Sequence, residues 1–139
     1  KKELKKVPFL GWFMTMVGMI FIDRGDKERA FESMRKAGQL IKNGRNVISF
    51  PEGTRNTDGK MKIFKRGSFI MAKAGNISVV PIAIKGAREV LPSEKMKLRP
   101  GLIKVKIGKP ISGDQFTKDE VDLFANYVRA QVIEMRNSL

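Results

Sequence analysis

Residues 7–22 read "VPFLGWFMTMVGMIFI", sixteen positions without one charged side chain, in a chain where 30% of residues are Asp, Glu, Lys or Arg. A run this apolar has to be covered, by a protein core or by lipid. It falls short of the ~20 residues that span a bilayer, and Pro8, Gly11 and Gly18 interrupt it. Two placements are open. One is a buried helix followed by a strand. The other sets Phe9, Trp12 and Phe13 into a membrane interface, with Lys1, Lys2, Lys5 and Lys6 among the headgroups. One segment can serve both.

The rest of the chain alternates two periods. From Gly25-Asp26 onward, Ala30, Phe31, Met34, Ala37 and Ile41 recur at helical spacing, and Gly44 is a natural stop. "NVISF" (46–50) predicts a short buried strand, and "GSFIMAKAG" (67–75) a helix ending at Gly75. "SVVPIAIKG" (78–86) predicts a second strand, with Pro81 at an edge, an end or a bulge. "LIKVKIGKP" (102–110) sets Ile103, Val105 and Ile107 against Lys104, Lys106 and Lys109. That is a strand with one buried face and one solvated basic face. "GAREVLPSEKMKLRPG" (86–101) reads as the longest loop. In the closing helix, "TKDEVDLFANYVRAQVIEM" (117–135), Thr117 and Glu120 form a capping-box pattern, and Val121, Phe124, Val128 and Met135 form the apolar stripe. Strands alternating with helices predict an α/β fold with a mixed, mostly parallel sheet flanked by helices. At 139 residues a single domain over 1–139 can bury a core.

Charge narrows the partners. There are 28 Lys+Arg against 14 Asp+Glu, a net +14, which predicts an anionic partner: a phosphate, an anionic lipid surface or nucleic acid. No nucleic-acid-reading motif is present, and the aromatics cluster in apolar runs instead of alternating with basic residues, so nucleic acid is not the expected partner. There is no cysteine and no histidine. This excludes disulfides, thiolate chemistry and Cys-based zinc sites, and removes the commonest general base. No metal site is suggested.

The chemistry-bearing stretch is "VISFPEGTRNTDGKMKIFKRG" (47–67). Ligands of α/β sheets gather at the loops leaving the carboxyl ends of strands. Pro51 ends the ladder because it has no amide hydrogen. Gly53 allows a sharp turn and a close ligand approach, and Arg55 offers a planar fork that matches a phosphate. Glu52 suits the orienting of a cation or the acceptance of a hydrogen bond from a hydroxyl. Lys62, Lys65 and Arg66 are near in sequence, and the amides opening the helix at 67 can face an anion. A plain turn accounts for the same residues, since the spacing is not that of a Walker A loop.

"FPEGTR" (50–55) resembles the third sequence block of the glycerolipid acyltransferases, the lysophosphatidic acid acyltransferase family. Three more stretches fit in order. "KKELKKVPFLGWFMTMVGMIFIDR" resembles the second block, "FKRGSFIMAKAG" the helix after the third, and "VVPIAI" the fourth. The resemblance runs from residue 1 to about residue 84, and "IKVKIGKPI" has the look of the family's late strand.

That resemblance implies transfer of an acyl group from a thioester on coenzyme A or acyl carrier protein to the free hydroxyl of lysophosphatidic acid, giving phosphatidic acid. It implies no cofactor beyond that co-substrate, and a membrane-associated protein at the cytoplasmic face. It places the acceptor phosphate on Arg24 and Arg55, with Lys65 as a third cation. Glu52 and Gly53 shape the loop, and Thr54 donates a hydrogen bond. The family's Asn-His-x-x-x-x-Asp block, which carries the general base and its orienting aspartate, is not in this sequence. These residues are therefore expected to be the larger part of a longer enzyme and to bind without turning over. A carboxylate is a weak base at neutral pH unless burial makes it hold its proton, so Glu52 is not assigned that role. The alternative is a non-catalytic basic module on an anionic membrane surface or nucleic acid, with affinity that falls steeply with salt.

Overall fold

The computed structural model describes residues 9, 12, 13, 16, 27–54, 59–92, 97–117 and 119–139. Contacts gather the chain into two compact units, Lys1–Ile48 and Ser49–Leu139.

In the first unit, helix α1 spans Lys27–Lys42, where the helical period predicts it. Ala37 is buried and Ile41 half-buried, while Glu32, Arg35, Lys36 and Gln39 are exposed. Gly44 ends the helix at φ 79°, a backbone setting that suits glycine, and its amide returns to the Ile41 carbonyl at 2.9 Å. The side chains of Ala30, Phe31 and Met34, and the expected strand at 19–22, lie outside the described residues.

The second unit holds α2 (Gly67–Ala74), β1 (Ile82–Lys85), α3 (Ala87–Val90), β2 (Lys104–Ile107), a 3-10 turn at Gly113–Gln115 and α4 (Val121–Asn137). α2 stops at Gly75 as predicted, and the Gly75 amide donates to the Met71 carbonyl at 3.0 Å. The stretch read as a long loop contains the short helix α3. Its four residues are too few to show a helical period.

β1 and β2 pair antiparallel, with Ile82 opposite Ile107 and Ile84 opposite Val105. Val79 and Ile111 extend the pairing as an isolated antiparallel bridge. Pro81, which has no amide to give a ladder, sits between that bridge and β1. This α/β arrangement is the expected class, but the sheet among the described residues is a two-stranded antiparallel pair, where a mixed, mostly parallel sheet was expected. Residues 46–50 take part in no strand pairing among the described residues.

The register decides which face of the sheet is covered. Ile82, Ile84, Val105 and Ile107 share one face because successive side chains alternate and opposite partners align. The other face carries Ala83, which is completely buried and belongs to the same core cluster as Phe124, Val128 and Val132 of α4. The basic face of β2 thus turns toward the helix end, and the apolar face is open, with Ile107 69% accessible. All four β2 residues are exposed, so the buried apolar face expected of this strand is absent. Lys104 Nζ donates to the Leu139 carbonyl at 2.6 Å and Lys106 Nζ to Ser138 Oγ at 2.8 Å, which sets two cations against the negative end of the α4 dipole.

The core is built around Phe124. Its ring meets Phe69 of α2 edge-on at 5.3 Å and Phe116 stacked at 4.9 Å, both favoured aromatic geometries. Lys73 Nζ ties α2 to the segment before α4 by donating to the Gly113 carbonyl at 2.9 Å and to that of Phe116. The capping box is present in one half: the Thr117 amide donates to Glu120 Oε2 at 2.7 Å. Accepting that backbone hydrogen bond holds the Glu120 carboxyl below its usual proton affinity.

Gly86 joins β1 to α3 at φ 91°, and a Cβ there would stand 2.0 Å from the Leu102 carbonyl oxygen. Gly86→Ala is therefore expected to lose about 2–3 kcal/mol in denaturant unfolding, from left-handed strain plus displacement of the backbone leading into β2. Unchanged stability would contradict the close approach of the two segments.

Candidate functional site

The loop after "ISF" is closed by its own backbone. The Gly53 amide donates to the Phe50 carbonyl at 3.0 Å, and the Lys65 amide to the Pro51 carbonyl at 2.8 Å. Gly53 holds φ 74°, which explains a glycine at this turn. The second hydrogen bond folds residues 61–65 back beside the turn.

The side chains then fasten the two limbs. Glu52 Oε2 accepts the Lys62 amide at 2.9 Å, and Lys62 Nζ donates to Thr54 Oγ1 at 3.2 Å. Glu52 thus satisfies a backbone donor, and its negative charge sits inside a basic loop. Thr54 accepts here, where the expectation was a donor; a hydroxyl can do both, so its own proton can still serve a ligand.

These residues surround an open pocket of ≈ 530 Å³ lined by Glu52, Thr54, Lys60, Met61, Lys62, Ile63, Lys65 and Arg129. That size suits a small-molecule headgroup. Four cationic side chains face it against one carboxylate, so the local field favours an anion. Glu52, Gly53, Thr54 and Lys65, all singled out from the sequence, come together in this loop. Arg24 and Arg55 lie outside the described residues.

One expectation shifts. Arg66 turns to α4, with Nε 3.0 Å from Asp122 Oδ1 in an exposed pair, a contact of little energetic weight. The first turn of α2 carries no acidic residue and no side-chain cap, which leaves its positive end uncompensated by its own side chains. Sequence reasoning missed Arg129. It comes from the middle of α4 and reaches the loop across a separation of 67 residues. Its only local signal is a cation bordering the apolar stripe of an amphipathic helix.

A family model described as Acyltransferase matches residues 1–85. The chain is 37% identical over 137 residues to a protein of Saccharomyces cerevisiae named 1-acyl-sn-glycerol-3-phosphate acyltransferase, covering 96% of this chain and 45% of that one. It is 32% identical to the 1-acyl-sn-glycerol-3-phosphate acyltransferase alpha of Mus musculus, covering 96% of this chain and 47% of that one. Among solved structures it resembles the 1-acyl-sn-glycerophosphate (LPA) acyltransferase PlsC from Thermotoga maritima, with TM-score 0.82 and 31% identity, over 98% of this chain and 53% of that chain. The chain spans about half the length of the relatives it matches.

Proposed function

The chain belongs to the acyltransferase family, and on that premise we propose that the protein acylates the free hydroxyl of lysophosphatidic acid to give phosphatidic acid. The acyl donor is a thioester on coenzyme A or acyl carrier protein. The hydroxyl oxygen attacks the thioester carbonyl carbon, a C–O ester bond forms and the C–S bond breaks. The hydroxyl proton ends on the departing thiol. No further cofactor enters that balance.

One observation carries this reading: Lys60, Lys62 and Lys65 line one open pocket beside the closed Glu52–Thr54 turn. A phosphate monoester carries up to two negative charges and several acceptor oxygens, which such a set of donors suits. In this proposal Arg24 and Arg55 complete the phosphate site, Lys65 contributes charge, and Glu52, Gly53 and Thr54 hold the loop's shape. The base that takes the hydroxyl proton belongs to the histidine-bearing block of the family, and this sequence contains no histidine. The 139 residues alone are therefore expected to bind acceptor without converting it. Calorimetric titration tests the site: lysophosphatidate should bind and lysophosphatidylcholine, whose phosphate is a diester, should bind at least about tenfold more weakly. Equal affinity for both, or binding only of nucleic acid, would overturn it.

The proposal includes membrane association at the cytoplasmic face. Phe9, Trp12, Phe13 and Met16 stand at helical spacing and all are exposed, Phe9 by 88% and Trp12 by 70%. Such a stripe beside a lysine-rich segment suits the interface of an anionic bilayer. No helix among the described residues is long and apolar enough to cross a membrane. Trp12→Ser with Phe13→Ser is expected to lower partitioning onto phosphatidylglycerol vesicles by about tenfold or more. Sedimentation that leaves both proteins equally vesicle-bound would contradict the assignment.

A further inference from the structure

We propose that Arg129 and Arg136 of α4 are positioning residues for the acceptor loop, a role that rests on the phosphate-site reading above. The two arginines are seven positions apart, two helical turns, and so share a face. Both reach off their own helix to the same short stretch of backbone. Arg129 Nε donates to the Lys62 carbonyl at 2.9 Å and its Nη2 to the Met61 carbonyl at 2.6 Å. Arg136 Nη1 donates to the Gly59 carbonyl at 3.0 Å. One rigid helix thereby fixes three carbonyls across residues 59–62.

The stretch so held is the outer limb of the site. Lys62 gives its amide to Glu52 and its ammonium to Thr54. A continuous path of hydrogen bonds therefore runs from α4 through the 61–62 carbonyls to the Glu52–Thr54 turn. α4 is docked by Phe124, Val128 and Val132 in the core, so the path begins on a firm element. A helix side chain that grips successive carbonyls of a loop fixes the loop's position more than it adds to fold stability. Guanidinium suits the task because its planar fork serves two carbonyls at once, which an ammonium does only at the expense of direction. The residues matched by the family model end at 85, so the clamp comes from outside them.

The test is steady-state kinetics on the full-length protein, with lysophosphatidate and the thioester varied separately. Arg129→Gln is expected to raise the KM for lysophosphatidate roughly tenfold, with kcat and the thioester KM within about twofold of the parent. Arg129→Lys should recover less than half of that loss. Arg136→Gln should raise the same KM about threefold, and the double variant should show less than the product of the two, because both act on one segment. Lys106→Gln breaks a contact to the end of the same helix away from the loop, and should leave all three constants unchanged. An unchanged acceptor KM in a folded Arg129→Gln protein overturns the clamp. So does full rescue by Lys, or a fall in kcat that tracks lost thermal stability for both substrates. Arg55→Ala, run in parallel, separates the two levels. If it raises the acceptor KM while Arg129→Gln does not, only the clamp fails. If neither changes the KM, the phosphate-site reading fails and the clamp falls with it.

Discussion

Arg55→Ala in the full-length protein is expected to lower kcat/KM for lysophosphatidate by about 100- to 1,000-fold. The residue directly follows a turn whose every member is fixed: Phe50 and Pro51 accept backbone hydrogen bonds, and Glu52 and Thr54 are joined through Lys62. In the proposed site its planar guanidinium meets the acceptor's phosphate through paired, charge-assisted hydrogen bonds. Its loss removes charge-assisted bonds to a dianion, which the remaining lysines replace only as point charges. Arg55→Lys should therefore recover part of the loss. Lys65→Ala, on the pocket wall, is expected to cost about tenfold. The effect should fall mainly on the acceptor's KM and should spare the thioester. An Arg55→Ala enzyme with near-parental kcat/KM would remove the loop from the acceptor site.

Phe124→Ala is expected to destabilise the second unit by about 3–5 kcal/mol. Phe124 is completely buried and contacts Phe69 and Phe116 at once. Removing the ring leaves a cavity between three segments whose positions depend on it, and those segments cannot all collapse inward. The midpoint of thermal unfolding should fall by roughly 10–20 °C. Phe124→Leu, which keeps most of the volume, should cost far less, about 1–1.5 kcal/mol. The substitution also releases the helix that carries Arg129, so acceptor binding should weaken in the folded fraction as well. A shift of only a few degrees would show that α4 is held by something other than its aromatic contacts.

How much of this was written locally in the chain differs by element. α1, α2 and α4 follow from apolar spacing and from Gly44 and Gly75, because helix formation and termination depend on neighbours three and four residues away. β2 was legible as a strand from its alternation, yet the exposure of both its faces was not. Alternation says that two faces differ, whereas the element that packs on one of them is a tertiary matter, and here the end of α4 draws the lysines. "NVISF" shows the same limit: its apolar content suggests a buried strand, but Phe50 is 75% exposed and the segment takes part in no pairing among the described residues.

At the site, the sequence named Glu52, Gly53, Thr54 and Lys65 because their chemistry is local to one turn. It could not name what Glu52 holds, since the Lys62 amide is ten residues away and every backbone amide looks alike in a sequence. Arg129 and Arg136 were invisible for the same reason. Their partners are carbonyls, which every residue carries, 67 to 77 positions earlier in the chain.

The central claim is that this family member moves an acyl group onto a phosphate-anchored hydroxyl. The most direct test incubates the full-length protein with lysophosphatidate and an acyl thioester, then quantifies phosphatidate by mass spectrometry alongside free thiol. The account predicts one phosphatidate for each thiol released, with both lost together in Arg55→Ala. Thiol release without phosphatidate, or no consumption of thioester in the presence of lysophosphatidate, would contradict it.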